Sequence, residues 1–127
     1  MRINNNDMAD KKRILLVEDD IFLRELSTAK LEQANFEVDV ATSGTQGLEF
    51  LTTRKYDLVL LDIMLPEING FEVLKRYSES LDAGEKKPYI MMMTNLSENE
   101  QISKAQELGA DNYIVKAHYS PTEILKK

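Results

Sequence analysis

The chain has 127 residues, which suits one domain built around a single core. Its residues are 43% hydrophobic and 30% charged, a globular composition, and a net charge of -6 argues against a surface that coats nucleic acid or an anionic membrane. Cysteine is absent, which excludes disulfides, thiol catalysis and thiolate metal sites, and no apolar run approaches the ~20 residues of a membrane span.

Residues 1–10 are polar and unpatterned and read as a loose tail. They have no apolar core of the kind a signal peptide carries, so the cytoplasm is the default compartment. Ile14-Leu15-Leu16-Val17 is an apolar run without alternation, the mark of a strand buried on both faces, and it ends in Glu18-Asp19-Asp20. A helix is expected over residues 21–34, with Phe22, Leu26 and Ala29 on its inward face and Asp20 as its cap. Residues 36–40 alternate and read as an edge strand. Ser43-Gly44-Thr45-Gln46 forms a capping box that opens a second helix, with Leu48 and Leu51 inward. Gly47, inside that helix, costs up to about 1 kcal/mol relative to Ala and so implies close packing.

Leu58-Val59-Leu60-Leu61 is another unbroken apolar run, and it runs straight into Asp62. Pro66 soon forbids further ladder pairing. Asn69-Gly70-Phe71-Glu72 opens a third helix that buries Phe71, Leu74 and Leu81. Residues 82–87 form a charged loop, and Pro88 leads into Tyr89-Ile90-Met91-Met92-Met93, a strand ending in Thr94. The three methionines fill a core more readily than they bind a soft metal. Ser97-Glu98-Asn99-Glu100 is a further capping box, for a helix through Leu108 closed by Gly109. Asn112-Tyr113-Ile114-Val115 is the last strand and ends in Lys116. Ser120-Pro121-Thr122-Glu123 begins a final helix that reads as cut short.

Strand and helix alternate five times, which implies a doubly wound parallel sheet of five strands with helices on both faces. In such a sheet all carboxyl ends share one edge, where open α/β sheets place their ligands. Four of the five strand runs end there in a reactive group: Glu18-Asp19, Asp62, Thr94 and Lys116. Close carboxylates repel one another, and a hard divalent cation removes the conflict. Oxygen donors without His or Cys favour Mg²⁺. A carboxylate beside such a cation can act as nucleophile toward a phosphoryl group. Thr94 can donate a hydrogen bond to a phosphoryl oxygen, and Lys116 can neutralise another.

These features resemble the response-regulator receiver domain, the phosphoacceptor module of two-component signalling. The likeness covers residues 11–127, and its marks are Ile14-Leu15-Leu16-Val17-Glu18-Asp19-Asp20, Leu61-Asp62-Ile63-Met64-Leu65-Pro66 with Asn69-Gly70, Thr94, and Tyr113-Ile114-Val115-Lys116. The resemblance implies a flavodoxin-like (βα)5 fold with strand order 2-1-3-4-5. It implies Asp62 as phosphoacceptor, with Mg²⁺ held by Asp19 directly, by Glu18, by Asp62 and by the Met64 backbone carbonyl. It implies Thr94 and Tyr113 as a switch pair, biased by a phosphoryl group on Asp62. The implied activity is a signalling one, limited to Mg²⁺-dependent self-phosphorylation and self-dephosphorylation. The implied partner is a sensor histidine kinase or a phosphotransfer protein. A phosphorylation-dependent homodimer is compatible with the resemblance, whereas direct contact with nucleic acid or membrane is not expected of this domain.

Two positions depart from the family's usual pattern. Ala117 stands where Pro commonly follows the Lys, and Asn95 where Ala often follows the Thr. Without proline the cis form costs about 3 kcal/mol, so a trans Lys116-Ala117 bond is expected. His118 is not expected to take part in the chemistry. A phosphohydrolase of the Asp-nucleophile type usually carries a second Asp two residues after the nucleophile, where this chain has Met64. A flavodoxin-like binding module without chemistry would need a phosphate-cradling loop after the first strand, where this chain has Glu18-Asp19-Asp20.

Overall fold

The computed structural model describes residues 12–81, 87–94 and 99–115. Its elements run β1 (Arg13–Val17), α1 (Ile21–Gln33), β2 (Glu37–Ala41), α2 (Gly44–Thr53), β3 (Leu58–Asp62), α3 (Gly70–Ser80), β4 (Tyr89–Thr94), α4 (Asn99–Glu107) and β5 (Asn112–Val115). The five strands form one sheet in the order β2-β1-β3-β4-β5, and every neighbouring pair is parallel. The expected doubly wound fold is therefore present. The capping box at Ser97, the loop at residues 82–86, the Lys116-Ala117 bond, the final helix and the N-terminal tail lie outside the described residues.

The apolar strand runs are buried because both sheet faces are covered. Leu15, Val17, Val59, Leu61, Ile90 and Met92 share one core with Leu51 of α2, Phe71, Val73, Leu74 and Tyr77 of α3, and Ala105 of α4. Their sequence neighbours Ile14, Leu16, Leu60, Met91, Met93 and Ile114 form the opposite core with Leu31 of α1. Strand alternation sends successive side chains to opposite faces, which is why unbroken apolar runs were needed. The methionine run is core filling, with Met91, Met92 and Met93 all buried.

Local signals act largely as expected. Ser43 caps α2 by accepting from the Gln46 N–H at 3.1 Å, and Asn69 caps α3 by accepting from the Glu72 N–H at 2.9 Å. The Gln46 side chain reaches back one residue further than a capping box requires, accepting from the Thr42 N–H at 2.8 Å. Gly109 ends its helix with φ +106°, and Asn35 does the same after α1 with φ 71°. Gly47 lets α2 lie against β1, since a Cβ there would sit 3.0 Å from Val17 Cγ1.

The inward face expected for α1 is wrong. Phe22 and Leu26 are 71% and 38% exposed and Ala29 is exposed, whereas Leu31 is buried at 1%. Leu23, Ser27 and Thr28 are half-buried, so the helix turns a less apolar stripe toward the sheet. Its rotation is set by its ends. Asp20 accepts from the Leu23 N–H at 3.0 Å, and the Phe36 N–H donates to the Leu31 carbonyl at 3.1 Å. Leu31→Ala should therefore cost about 2–5 kcal/mol of stability, while Phe22→Ala should change it by about 0.5 kcal/mol or less. Urea unfolding of the two variants checks this, and equal losses would refute the assigned rotation.

At the edge strand β2, Asp39 accepts from the Tyr56 hydroxyl at 2.7 Å and pairs with Arg54 at 3.1 Å and Arg13 at 3.4 Å. Partial burial acts to raise the Asp39 carboxyl. The hydrogen bonds from Tyr56 and Arg54 and the charges of both arginines outweigh it, holding the group below the usual carboxylate range. Burial, the hydrogen bond to Asp39 and the nearby negative charge push the Tyr56 phenol up to about 12. A folded-state pKa above the unfolded value near ~10 contributes stability below that pH, and the contribution is lost as pH rises through the folded pKa. Phenolate absorbance should include a component from Tyr56 ionising at about pH 12. That component should vanish in Tyr56→Phe; its persistence would assign it to another tyrosine.

Candidate functional site

The strand order puts β1 beside β3, with β2 outside the one and β4 outside the other. The chain departs to opposite sides from this pair, so a crevice opens at its carboxyl ends. Glu18 and Asp19 follow β1 directly, and Asp62 is the last residue of β3. One carboxylate oxygen from each of the three lies within 4.8 Å of the others. Glu18 and Asp62 are 2% and 4% exposed, the two buried charged side chains among the described residues, while Asp19 is open to solvent.

Burying carboxylates is costly, and gathering three like charges adds repulsion. A cation offsets both. The donor set is all oxygen, with one exposed member on the solvent side, so the residues fit a hard ion such as Mg²⁺ that retains several waters.

Each loop at the site is held in place. On the β1 side the Glu18 N–H donates to the Ala41 carbonyl at 3.0 Å, and the Asp20 N–H donates to Glu18 Oε2 at 3.3 Å. Asp20 itself caps α1 and is not in the acidic trio. The Arg24 guanidinium donates to the backbone carbonyls of Glu18 at 3.4 Å and Asp19 at 3.3 Å. Arg24 was missed in the sequence. Its one signal is position, since a cation in the first turn of a helix opposes the dipole and needs another reason to be there.

On the β3 side the Ile63 N–H continues the sheet by donating to the Met93 carbonyl at 3.2 Å. The Met64 N–H donates to Asp62 Oδ1 at 3.3 Å, so the loop that follows the strand also orients its terminal carboxylate. The Met64 side chain is 66% exposed at the rim. Gly70, at the start of α3, lies so close to the strand end that a Cβ would fall 2.3 Å from the Asp62 carbonyl oxygen.

The other expected site residues are placed less completely. Asp62 pairs in register with Met93, so Thr94 stands one residue further toward the carboxyl edge on the neighbouring strand, opposite Val115. Its side chain lies outside the described residues, as do Lys116 and His118. Tyr113 pairs with Met92 and packs, half-buried, against the core that α2, α3 and α4 cover. The structure thus gathers Glu18, Asp19, Asp62 and the Met64 backbone, and sets the strand carrying Thr94 alongside.

A family model described as the response regulator receiver domain matches residues 14–127. The chain belongs to the response regulator receiver family. This receiver domain is 42% identical over 104 residues to the probable transcriptional regulatory protein SilR of Salmonella typhimurium, covering 82% of this chain and 44% of that protein. It is 39% identical over 104 residues to the transcriptional regulatory protein CusR of Escherichia coli K12, with the same coverage of 82% and 44%. The chain spans less than half the length of these curated relatives. Among solved structures, the CheY-like receiver domain protein of Methanospirillum hungatei superposes with a TM-score of 0.81 at 31% identity, covering 91% of this chain and 89% of that one. The non-phosphorylated HemR receiver domain of Leptospira biflexa gives 0.79 at 32% identity, covering 91% and 90%. No helix among the described residues of the receiver domain is long and apolar enough to cross a membrane.

Proposed function

We propose that this domain accepts a phosphoryl group on Asp62 from a histidine of a sensor kinase or phosphotransfer protein. The observation that supports this most is the carboxylate trio at the β1–β3 crevice, with Asp62 at the very end of its strand. An Asp62 carboxylate oxygen attacks phosphorus in line, the donor's bond to phosphorus breaks, and the leaving nitrogen keeps the electron pair. Glu18, Asp19, Asp62 and the Met64 carbonyl would hold Mg²⁺, which when bound screens charge between acceptor and phosphoryl oxygens. The Met64 N–H orients the attacking carboxylate. Thr94 and Lys116 contact the transferred group, and the Thr94 hydroxyl then biases Tyr113, passing the event to the surface.

A protein donor is favoured by what flanks the site. Ile21 and Phe22, which follow Glu18-Asp19-Asp20 in the chain, and Met64, two residues after Asp62, leave apolar side chains exposed. The curated relatives described as transcriptional regulatory proteins support placing the domain in a cytoplasmic regulator, its switched surface acting on an output or on a second copy.

Incubation with Mg²⁺ and acetyl phosphate tests the reading without a cognate kinase. One phosphoryl group should attach per chain, and chelation should prevent it. Asp19→Ala should weaken Mg²⁺ binding about 10-fold or more, the scale expected for losing a charged ligand or its support. Unchanged affinity in that variant would place the ion elsewhere.

A further inference from the structure

The loop between β3 and α3 carries two of the features on which the proposed function rests, the Met64 N–H on Asp62 and the Met64 carbonyl. It is held from outside the site by the first residue of a different helix. The Gly44 N–H donates to the Pro66 carbonyl at 3.2 Å. Gly44 is buried, and a Cβ on it would fall 1.8 Å from the Ile68 carbonyl oxygen and 2.7 Å from Ile68 Cγ1. Only a residue without a side chain lets the loop backbone come this close.

The elements on either side have little room to yield. α2 is capped by Ser43 and seated on β1 through Gly47, where a Cβ would already touch Val17 Cγ1 at 3.0 Å. α3 is tied to the strand end by the Gly70 N–H on the Ile63 carbonyl at 2.9 Å, and it buries Phe71, Val73, Leu74 and Tyr77. The loop between them is the softer part. It already contains Glu67 at φ 72°, a conformation that costs a non-glycine residue energy. A side chain at position 44 would therefore be accommodated by displacing the loop, and with it the Met64 backbone.

We infer that Gly44 is a positioning residue of the phosphoacceptor site: the helix α2 start sets the loop that orients Asp62 and presents the Met64 carbonyl. Gly44 touches neither metal nor phosphoryl group. It acts by contact with Pro66 and Ile68, and the effect travels along backbone to Met64. The inference rests on the function proposed above and adds to it a residue with no chemistry of its own.

The test compares Gly44→Ala with Gly47→Ala, which crowds the same helix against β1 but not against the loop. In the metal-free proteins, amide NMR shifts of Asp62 and Met64 should move in Gly44→Ala and stay near wild type in Gly47→Ala. Mg²⁺ titration followed by the same amides should show about a 10-fold weaker affinity in Gly44→Ala, the scale found when supports of metal ligands are removed. Labelling by acetyl phosphate should slow in parallel. If Gly44→Ala does not fold, Ile68→Ala loosens the same contact from the loop side, and its Mg²⁺ affinity should also fall. Wild-type affinity and amide positions in Gly44→Ala, or in Ile68→Ala where Gly44→Ala does not fold, with wild type itself binding Mg²⁺ and accepting phosphoryl, would overturn the inference alone. A wild type that neither binds Mg²⁺ nor labels would overturn the proposed function and this inference together.

Discussion

Asp62→Asn should take up no phosphoryl group under conditions in which the wild type is labelled once per chain. The substitution keeps the shape of the side chain and an oxygen that can accept the Met64 N–H, now at 3.3 Å. It removes the negative charge and with it the nucleophile, since a neutral amide oxygen does not displace a leaving group from phosphorus at useful rates. Far-UV circular dichroism should match the wild type and unfolding should remain cooperative, with a midpoint no lower, since one buried negative charge is removed. This separates lost chemistry from lost fold. Two other carboxylates lie within 4.8 Å, so the result discriminates among them. Glu18 is buried, and Asp19 is exposed after β1. Mass spectrometry that found the variant labelled on either would refute the choice of Asp62. The wild-type product should be stable to acid relative to phosphohistidine and labile to base, as an acyl phosphate is.

The acidic trio was legible in the sequence because of how abruptly apolar runs meet carboxylates. A strand buried on both faces must be apolar throughout, so Glu18 and Asp62 stand out at the points where burial changes its meaning. Parallel topology then brings strand ends together without any knowledge of contacts. The rotation of α1 was not legible for a related reason. Its more hydrophobic stripe, Phe22 and Leu26, faces solvent, and only the two end connections decide which stripe meets the sheet. Periodicity measures apolarity, not what a surface is for. Arg24 and Gly44 were hidden differently. Both act on backbone carbonyls, Arg24 on those of Glu18 and Asp19 and Gly44 on that of Pro66, and backbone contacts leave almost no pattern in side-chain identity.

The lifetime of the phosphorylated state should be long, and a pair of substitutions should shorten it by about 10-fold or more, within the range that positioning a reactant and a proton acceptor supplies. Hydrolysis of an aspartyl phosphate needs a water in line with phosphorus, held by a group within hydrogen-bond reach. The receiver family places two side chains beside that path, two residues after the phosphoacceptor and two after the switch Thr. Here these are Met64 and Leu96, neither of which can donate to or accept from a water. Met64 stands next to the carboxylate, with its N–H on Asp62 and its bulky side chain exposed. Leu96 lies outside the described residues, and its part in the argument comes from sequence position. Asn95 is the neighbouring polar group that could substitute for them; it too lies outside the described residues, and its place next to Thr94 in sequence argues that it points to another side. Slow self-dephosphorylation then leaves the signal to be ended by a phosphatase or by back-transfer to the donor. Met64→Asn with Leu96→Glu puts a hydrogen-bonding group at both positions without touching Asp62, Glu18 or Asp19. The decay of purified, labelled protein in Mg²⁺ after removal of acetyl phosphate, followed by mass spectrometry, compares the two. A wild type that loses its phosphoryl group within seconds, or a double variant that decays no faster, would show that the attacking water is held by something other than these two side chains.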